Sequence, residues 1–357
     1  MILTHINYFA DLINYFSNTL GWGFGGKILG YVIIALIYMT FFSVAGLLLV
    51  YLERRVAAFF QLRLGPNRVG PWGLLQTIAD ALKLLTKELF GTDRKDNLLY
   101  HSAYYIVIIA SLMALSAIPF SKGLVAFDVN IGVFFISAIS SVGVLSILLG
   151  GWGSNNKYSM IGGMRSGLQM ISYELSSGLA ILTIVLMAGT LSMTGIVEQQ
   201  RDMIFLLKGH IPALIAFIIF VIAGTAESNR TPFDLPEGEA ELGAGYHTEY
   251  SGMGFAWFFL AEFINMFIIS AVGVTLFFGG WLAPFGITDG LGPEWAWGLF
   301  WFFLKVFLMI FLLMWFRWTF PRLRIDQLLT LEWKYLLPIG LLNIIIMAVF
   351  VYFGLIL

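Results

Sequence analysis

Residues 253–279 read MGFAWFFLAEFINMFIISAVGVTLFFG and contain a single charged residue, Glu262. Because an α-helix rises 1.5 Å per residue, about 20 apolar residues cross the ~30 Å hydrocarbon core of a bilayer. This run therefore predicts a membrane-spanning helix. A charge at the centre of such a helix costs at least ~2.5 kcal/mol, so Glu262 is expected to have a partner or a water path.

The composition of the whole chain also indicates a membrane protein. The 357 residues are 59% hydrophobic and only 11% charged, whereas soluble domains carry about 25% charged residues. The net charge of -1 gives no reason to expect nucleic acid as a partner. We predict an all-α membrane protein with eight transmembrane helices in a single integral membrane domain, residues 1–357. The predicted spans are 29–52, 102–120, 129–152, 166–189, 209–226, 253–279, 295–316 and 335–357.

Two segments outside these spans show helical periodicity. An apolar stripe near the N-terminus predicts a helix lying in the membrane interface, and the alternative is a ninth span containing Asp11. The stripe consists of Ile2, Ile6, Phe9, Ile13, Phe16 and Leu20. In the first polar loop, residues 74–90 predict an amphipathic helix about 25 Å long. This helix either covers a cavity or exposes a solvated face, and its Asp80 and Lys83 are spaced for pairing.

Basic residues are distributed unequally between the two sides of the predicted bundle. Most of them lie in the loops 53–101, 153–165, 227–252 and 317–334. The connections on the opposite side contain only Lys27, Lys122, Arg201 and Lys208. By the positive-inside rule, the four basic loops face the cytoplasm or matrix and both termini face the periplasm. The chain also starts without the basic n-region of a cleaved signal peptide.

The third basic-side loop, ESNRTPFDLPEGEAELGAGYHTEY (227–250), is crowded with carboxylates. It contains Glu227, Asp234, Glu237, Glu239, Glu241 and Glu249, with Arg230 as its single Lys or Arg. Crowded carboxylates hold protons more readily than isolated ones, which suits a proton relay or a coupling element. The alternatives are a fully solvated acidic loop or a divalent-cation site, although the spacing does not match the calcium-loop pattern.

Three charges fall within predicted spans, namely Glu174, Glu262 and Lys305. They predict an intramembrane proton path or, alternatively, a structural Glu–Lys pair between helices. The chain has no cysteine, which excludes thiolate-held iron–sulfur clusters. Its four histidines do not have the spacing of zinc or haem ligands. We therefore expect no bound metal, haem or iron–sulfur cluster in this chain.

Long stretches of the chain resemble one family of membrane subunits. GLLQTIADALKLLTKE (73–88) and PFDLPEGEAELGAG (232–245) resemble the two signature segments of the membrane subunit called H in bacterial respiratory complex I, the counterpart of mitochondrial NADH dehydrogenase subunit 1. LERRVAAFFQLRLGPNRVGP (52–71), ISYELS (171–176) and PRLRIDQLLTLEWKYLLP (321–338) are similar to the same family. The resemblance covers most of the chain, in order.

The resemblance implies a subunit of a proton-translocating NADH–quinone oxidoreductase that forms the quinone site and anchors the peripheral arm. It implies ubiquinone or menaquinone as the substrate, with NADH, flavin and iron–sulfur clusters on partner subunits. Those partners are peripheral quinone-module subunits on the cytoplasmic face and neighbouring membrane-arm subunits, within the lipid bilayer. The implied location is a bacterial inner membrane, or else the mitochondrial inner membrane.

The same resemblance assigns residues to sites. Those that match positions around the quinone cavity are Glu53, Arg54, Asp80, Lys83, Arg317 and Arg322. Those that match the acidic coupling loop or the proton route are Glu227, Asp234, Glu237, Glu239, Glu241, Glu174 and Glu262. Apolar residues such as Val56–Phe60 and Phe233 would suit an isoprenoid tail. The third span has no ionisable residue, so an acid needed there would come from a neighbouring subunit.

Two other functions remain open on the sequence. The first is the homologous membrane subunit of an ion-pumping hydrogenase-type complex, which need not use NADH. The second is a stand-alone proton channel or transporter. The sequence shows no obvious internal repeat, whereas many transporters are built from repeats.

Overall fold

The computed structural model describes residues 7–19, 23–235, 243–284, 287 and 293–355. In this part of the chain the regular structure is helical, apart from an isolated bridge between Ser121 and Leu124. Eight helical segments of the described residues are long and apolar enough to cross a membrane. The predicted all-α membrane fold with eight spans is confirmed.

The helices follow one another as α1 (Tyr8–Asn14), α2 (Gly23–Phe60), α3 (Gln76–Thr86), α4 (Asn97–Ser116), α5 (Gly132–Gly153), α6 (Lys157–Ala188), α7 (Met193–Glu198), α8 (Phe205–Lys208), α9 (His210–Glu227), α10 (Gly252–Phe277), α11 (Glu294–Thr319), α12 (Ile325–Thr330) and α13 (Leu337–Tyr352). A π-helical turn, Leu331–Leu336, joins α12 to α13, so that Ile325–Tyr352 is one continuous span. The other seven spans are α2, α4, α5, α6, α9, α10 and α11.

The loops that follow α2, α5, α9 and α11 lie on one side of the bundle, as predicted. The backbone N–H of Asp96 donates to the carbonyl of Gly153 at 2.9 Å, which joins the first loop to the second. Leu323 N–H donates to the carbonyl of Pro232 at 3.0 Å, which joins the fourth loop to the third. We call this side, which holds most of the Lys and Arg residues, the basic side.

Several helices are longer than their apolar runs. The predicted first span ends at residue 52, but α2 continues to Phe60 and has 38 residues, roughly 57 Å. It continues because Glu53 and Arg54 form ion pairs and Arg55 donates to the carbonyl of Trp72. Helices α4 and α6 begin earlier than predicted for a different reason. Asp96 and Asn156 cap them by accepting backbone N–H groups of the first turn.

Helix α10 lies at the centre of the bundle. In its most apolar stretch 72% of the residues are buried, against 28% in the first span and 22% in the last. Phe267 of α10 packs against Phe41 of α2 with ring centroids 5.5 Å apart, and Phe41 packs in turn against Phe120 at 5.3 Å. The helix that contains Glu262 is thus surrounded by protein rather than by lipid.

Helix α1 is too short to cross a membrane. Its 7 residues measure roughly 10 Å, and Phe9 packs on Tyr38 of α2 with ring centroids 5.9 Å apart. A ninth span is therefore not supported in residues 7–19. Ile2, Ile6 and Leu20 of the predicted stripe lie outside the described residues.

The amphipathic helix in the first basic-side loop exists but is shorter than predicted. Helix α3 has 11 residues, roughly 17 Å. A tight turn at Gly73 delays its start: φ is 75°, and a Cβ would lie 2.2 Å from the carbonyl oxygen of Pro66. The apolar residues of α3 face outward, with Leu82 58% and Leu85 59% exposed, while Asp80 faces α2.

Lys305 caps the end of the central helix. Its Nζ donates to the carbonyls of Phe278, Gly280 and Leu282 at 2.7, 3.0 and 2.7 Å. These carbonyls follow the last turn of α10, where the helix dipole is negative. The charge predicted to lie within a span therefore stabilises a helix end.

We expect Lys305→Met to destabilise the protein by roughly 1–3 kcal/mol, because it leaves three partly buried carbonyls without their charged donor. The measurement is the midpoint of thermal unfolding of the purified protein in detergent. Lys122→Met is the control, because it removes only an exposed ion pair with Glu294, typically worth about 0–1 kcal/mol. Equal midpoints for the two variants would contradict this role of Lys305.

Candidate functional site

Four charged side chains from different parts of the chain form a buried series of ion pairs on the basic side. Glu53 of α2 pairs with Arg317 at the end of α11, and its Oε2 lies 2.6 Å from Nη1 of Arg230. The Nε of Arg230 lies 3.3 Å from Oε1 of Glu262 in α10. We call Glu53, Arg230, Glu262 and Arg317 the four-charge cluster.

The four-charge cluster is electrically balanced, because two carboxylates alternate with two guanidinium groups. Glu53 and Arg230 are buried. The Cζ of Arg230 lies 4.1 Å from the ring centroid of Phe263, which adds a cation–π contact. A buried charge without a partner costs several kcal/mol, so each member depends on its neighbours. The cluster therefore joins α2, α10 and α11 to the loop after α9.

A second ion pair lies next to the cluster. Arg54, which follows Glu53 in α2, places Nη1 2.6 Å from Oδ2 of Asp80 in α3. Gln76 donates to the other oxygen of Asp80 at 3.3 Å. The expected pairing of Asp80 with Lys83 is therefore wrong, because the polar edge of α3 faces α2 and leaves Lys83 exposed.

Arg322 lies apart from these residues. Its Nη2 donates to the carbonyl of Leu235 at 3.3 Å, and it lines a cavity of about 330 Å³ together with Arg165 and Arg324. Of the six residues predicted to surround a quinone, the structure thus brings four together at the end of α2. These four are Glu53, Arg54, Asp80 and Arg317.

Two small cavities connect the acids within the spans. Glu262 and Glu227 both line a cavity of about 20 Å³, and Glu227 and Glu174 both line one of about 50 Å³. Asn265 lines both cavities. Since a water molecule needs roughly 10–15 Å³, each cavity has room for water between two carboxyl groups. We call Glu262, Glu227 and Glu174 the carboxylate row, which begins at the four-charge cluster.

Each acid of the carboxylate row has an ion-pair or hydrogen-bond partner among the described residues. Glu262 pairs with Arg230, Glu227 accepts a hydrogen bond from Ser177 at 2.5 Å, and Glu174 accepts one from Ser141. The alternative of a structural Glu–Lys pair is therefore wrong, because Lys305 is engaged with backbone carbonyls. Ser141 lies in α5, so the span without an ionisable residue contributes a hydroxyl group to the row.

Glu227 was predicted to lie in the acidic loop, but it is the last residue of α9. The apolar run ends at Ala226, and the hydrogen bond from Ser177 allows the helix to include one more, charged residue. Asp234 remains in the loop and is half-buried. Glu237, Glu239 and Glu241 lie outside the described residues.

The loop after α9 is held by a residue that was not predicted as functional. Gln169 of α6 donates to the carbonyls of Ala226 and Phe233 at 2.8 and 2.7 Å. Phe233 itself is buried against Tyr173, with ring centroids 5.2 Å apart. It is therefore not accessible to an isoprenoid tail in this structure, whereas Phe59 is exposed.

Two charged groups of the site, Arg230 and Glu332, are not evident as functional residues from the sequence. Arg230 stands out in the sequence only as the single Lys or Arg of an acidic loop, and that imbalance is a signal that carboxylates compete for it. Glu332 lies in a polar stretch next to Trp333 and Lys334, so its sequence context gives no signal that it is buried. The structure buries it completely in the π-helical turn. Among the described residues no group of three or more acidic or His side chains could hold a metal.

His247 is a buried histidine on the basic side, outside the spans. It lies among the rings of Tyr246, Phe255 and Phe258. Burial lowers the pKa of His247 to about 3, so its imidazole is neutral at physiological pH. Its ring packs at the end of the acidic loop, just before α10 begins.

The fold and the site define a class: a polytopic helical membrane protein in which a row of half-buried carboxylates runs inward from an ion-pair cluster. A family model described as NADH dehydrogenase matches residues 32–348. The chain is 57% identical over 328 residues to the H subunit of NADH-quinone oxidoreductase from Bacteroides fragilis, covering 91% of both chains. The chain belongs to this NADH dehydrogenase family.

Two further relatives come from other bacteria. The chain is 46% identical over 327 residues to the H subunit of NADH-quinone oxidoreductase from Rhodospirillum centenum, covering 92% of this chain and 95% of the relative. It is 46% identical over 325 residues to NADH-quinone oxidoreductase subunit 8 of Rhodothermus marinus, covering 88% and 95%. The similarity therefore extends over nearly the whole length of each relative.

His247 predicts how stability depends on pH. The pKa of His247 is lowered to about 3 in the folded protein, whereas an unfolded histidine titrates near ~6.5. Between these values the unfolded state binds more protons, so stability falls as pH decreases from about 6.5 toward 3.

We expect His247→Gln to lose less thermal stability than the wild type between about pH 7.5 and pH 5. His101→Gln, at a half-buried histidine of α4, is the control. If His247→Gln loses as much thermal stability over this pH range as the wild type does, the lowered pKa of His247 is not the cause of the pH dependence.

Proposed function

We propose that this chain forms the quinone site and anchors the peripheral arm of a proton-translocating NADH–quinone oxidoreductase, and couples quinone reduction to proton pumping. The observation that carries the proposal is the succession from the Arg54–Asp80 pair through the four-charge cluster to the carboxylate row. The reported relatives are named as NADH-quinone oxidoreductase subunits, which favours this function over a hydrogenase-type complex or a lone transporter.

The region between α2 and α3 has the two chemical properties that a quinone requires. Arg54 and Asp80 offer a hydrogen-bond donor and acceptor for the headgroup. Next to them, the exposed side chains of Phe59 and Trp72 and the apolar face of α3 offer a surface for an isoprenoid tail. Lys83 and Arg322 would act at the edge of this region rather than against the headgroup.

The four-charge cluster would transmit the reaction into the membrane. Reduction of a quinone to a quinol takes up two electrons and two protons, and drawing those protons from nearby acidic groups would leave negative charge beside Asp80 and Glu53. Charges in a low-dielectric interior interact strongly, so a change at Glu53 alters the balance at Arg230 and then at Glu262. The changed charge balance at Glu262 would cause protons to move along the carboxylate row through its cavities. We include Asp234, Glu237, Glu239 and Glu241 of the acidic loop in this response.

The remaining cofactors and partners would lie outside this chain. NADH, flavin and iron–sulfur clusters are assigned to partner subunits, since this chain has no cysteine for cluster ligation. Peripheral quinone-module subunits would dock on the basic side, facing the cytoplasm. Other membrane-arm subunits and lipid would cover the apolar sides of the spans. The termini would face the periplasm of a bacterial inner membrane.

The proposal is tested with Glu227→Gln in membranes that contain the whole complex. Glutamine keeps the shape and the hydrogen bond of the side chain but cannot carry a proton. We expect normal NADH oxidation with an artificial acceptor that takes electrons before the quinone. Quinone reduction and proton pumping should fall by roughly tenfold or more, because a proton-transfer group is lost.

Glu88→Gln is the matched control, since it removes an exposed carboxylate on the same side. Native gels establish that both variants assemble into the complex. If Glu227→Gln assembles and pumps protons as well as Glu88→Gln does, the carboxylate row is not the coupling element, and the proposed mechanism fails.

A further inference from the structure

Glu332 is a buried acid that the proposed function does not use. It lies in the π-helical turn Leu331–Leu336, and its side chain is 0% exposed. Oε1 accepts a hydrogen bond from Ser176 at 2.5 Å, whereas Oε2 has no hydrogen-bond partner among the described residues. Irregular π-turns inside helices are frequent at functional sites.

The groups around Glu332 do not compensate a negative charge. From α6 it is faced by Tyr173 and Ser176, and from the end of α9 by Glu227. Among the described residues no Lys or Arg pairs with it, and Lys334 of the same turn is exposed. A buried carboxylate without a cation is so unfavourable that the group binds a proton instead.

Glu332 and Glu227 lie against the same turn of α6. Ser176 donates to Glu332 and the next residue, Ser177, donates to Glu227, each at 2.5 Å. The two serine Cα atoms are about 3.8 Å apart, so the carboxyl groups from two different helices converge on adjacent residues. Glu227 also lines the cavity of about 50 Å³ that Glu174 lines, so the acid next to Glu332 belongs to the carboxylate row.

We propose that Glu332 is a proton-binding site that shares one proton with Glu227 and so forms a branch of the carboxylate row. This inference rests on the proposed function of the row. When the O–H bond of Glu332 breaks, its proton passes to the carboxylate of Glu227, directly or through water, and Glu332 keeps the charge. No electron moves, and the pair keeps one negative charge, as expected where two close carboxyl groups cannot both ionise.

The test uses the assembled complex with Glu332→Gln, which keeps an oxygen to accept from Ser176 but has no carboxyl group to protonate. The first measurement is the infrared difference spectrum between oxidised and quinol-reduced complex, in the carboxyl C=O stretching region. We expect one carboxyl band to disappear in Glu332→Gln. In Ser176→Ala the same band should shift in frequency, because that variant removes the hydroxyl group that donates to Oε1 of Glu332.

The second measurement is the pH profile of quinone reduction. In Glu332→Gln the alkaline limb should move to lower pH by about one unit, because Glu227 no longer shares a proton with a second acid. Glu88→Gln should leave the spectrum and the profile unchanged. If Glu332 is only a structural residue, Glu332→Gln keeps all carboxyl bands and the wild-type profile, and the inference is overturned.

Glu227→Gln, measured in parallel, separates this inference from the function on which it rests. If Glu227→Gln abolishes pumping while Glu332→Gln leaves spectrum and profile unchanged, only the branch at Glu332 is refuted. If Glu227→Gln also pumps normally, the carboxylate row itself is refuted. If the proton is shared, the double variant should be no more impaired in pumping than Glu227→Gln alone.

Discussion

The guanidinium group of Arg230 lies between two carboxylates, Glu53 and Glu262, that come from different spans. Burying this cation is possible only because both acids are present, and burying the acids is possible only because the cation is. Arg317 completes the series by neutralising the second negative charge. This mutual dependence fixes α2, α10 and the loop after α9 relative to one another. It also places the first acid of the carboxylate row beside the basic-side site.

The membrane explains why the polar groups of the spans are organised so strictly. Water is absent from the bilayer core, so each polar group needs a partner inside the protein. Lys305 obtains its partners from the end of α10, whereas Ser141, Ser176 and Ser177 each donate to a carboxyl group. Acids held by hydroxyl groups rather than by cations can bind or release a proton without breaking an ion pair. This difference separates Glu174, Glu227 and Glu332, which suit proton movement, from Glu262, whose ion pair with Arg230 links the row to the four-charge cluster.

Much of the fold could be predicted from the sequence, because the length of an apolar run and the bilayer thickness are related by simple geometry. The eight spans and the loops that share a side follow from that relation, and the amphipathic helix α3 follows from helical periodicity. Helix ends did not follow, since Glu53 and Arg54 remain helical only through partners far away in sequence. The arrangement of the site likewise depends on contacts between residues that are far apart in sequence. Glu262 and Glu174 were visible as isolated charges in apolar runs, but their partners were not. Glu332 could be recognised only once the π-helical turn showed which way it faces.

In the proposed mechanism, Arg230 couples the charge at the basic-side site to the carboxylate row. The decisive quantity is the number of protons pumped per NADH oxidised in proteoliposomes containing the Arg230→Lys complex. Lysine keeps the positive charge but cannot contact both acids through a planar fork. We predict that quinone reduction continues in this variant while the number of protons pumped per NADH falls below the wild-type value. A wild-type ratio at a normal rate of quinone reduction would show that coupling does not depend on the contacts of Arg230 with both acids, and the mechanism would be wrong.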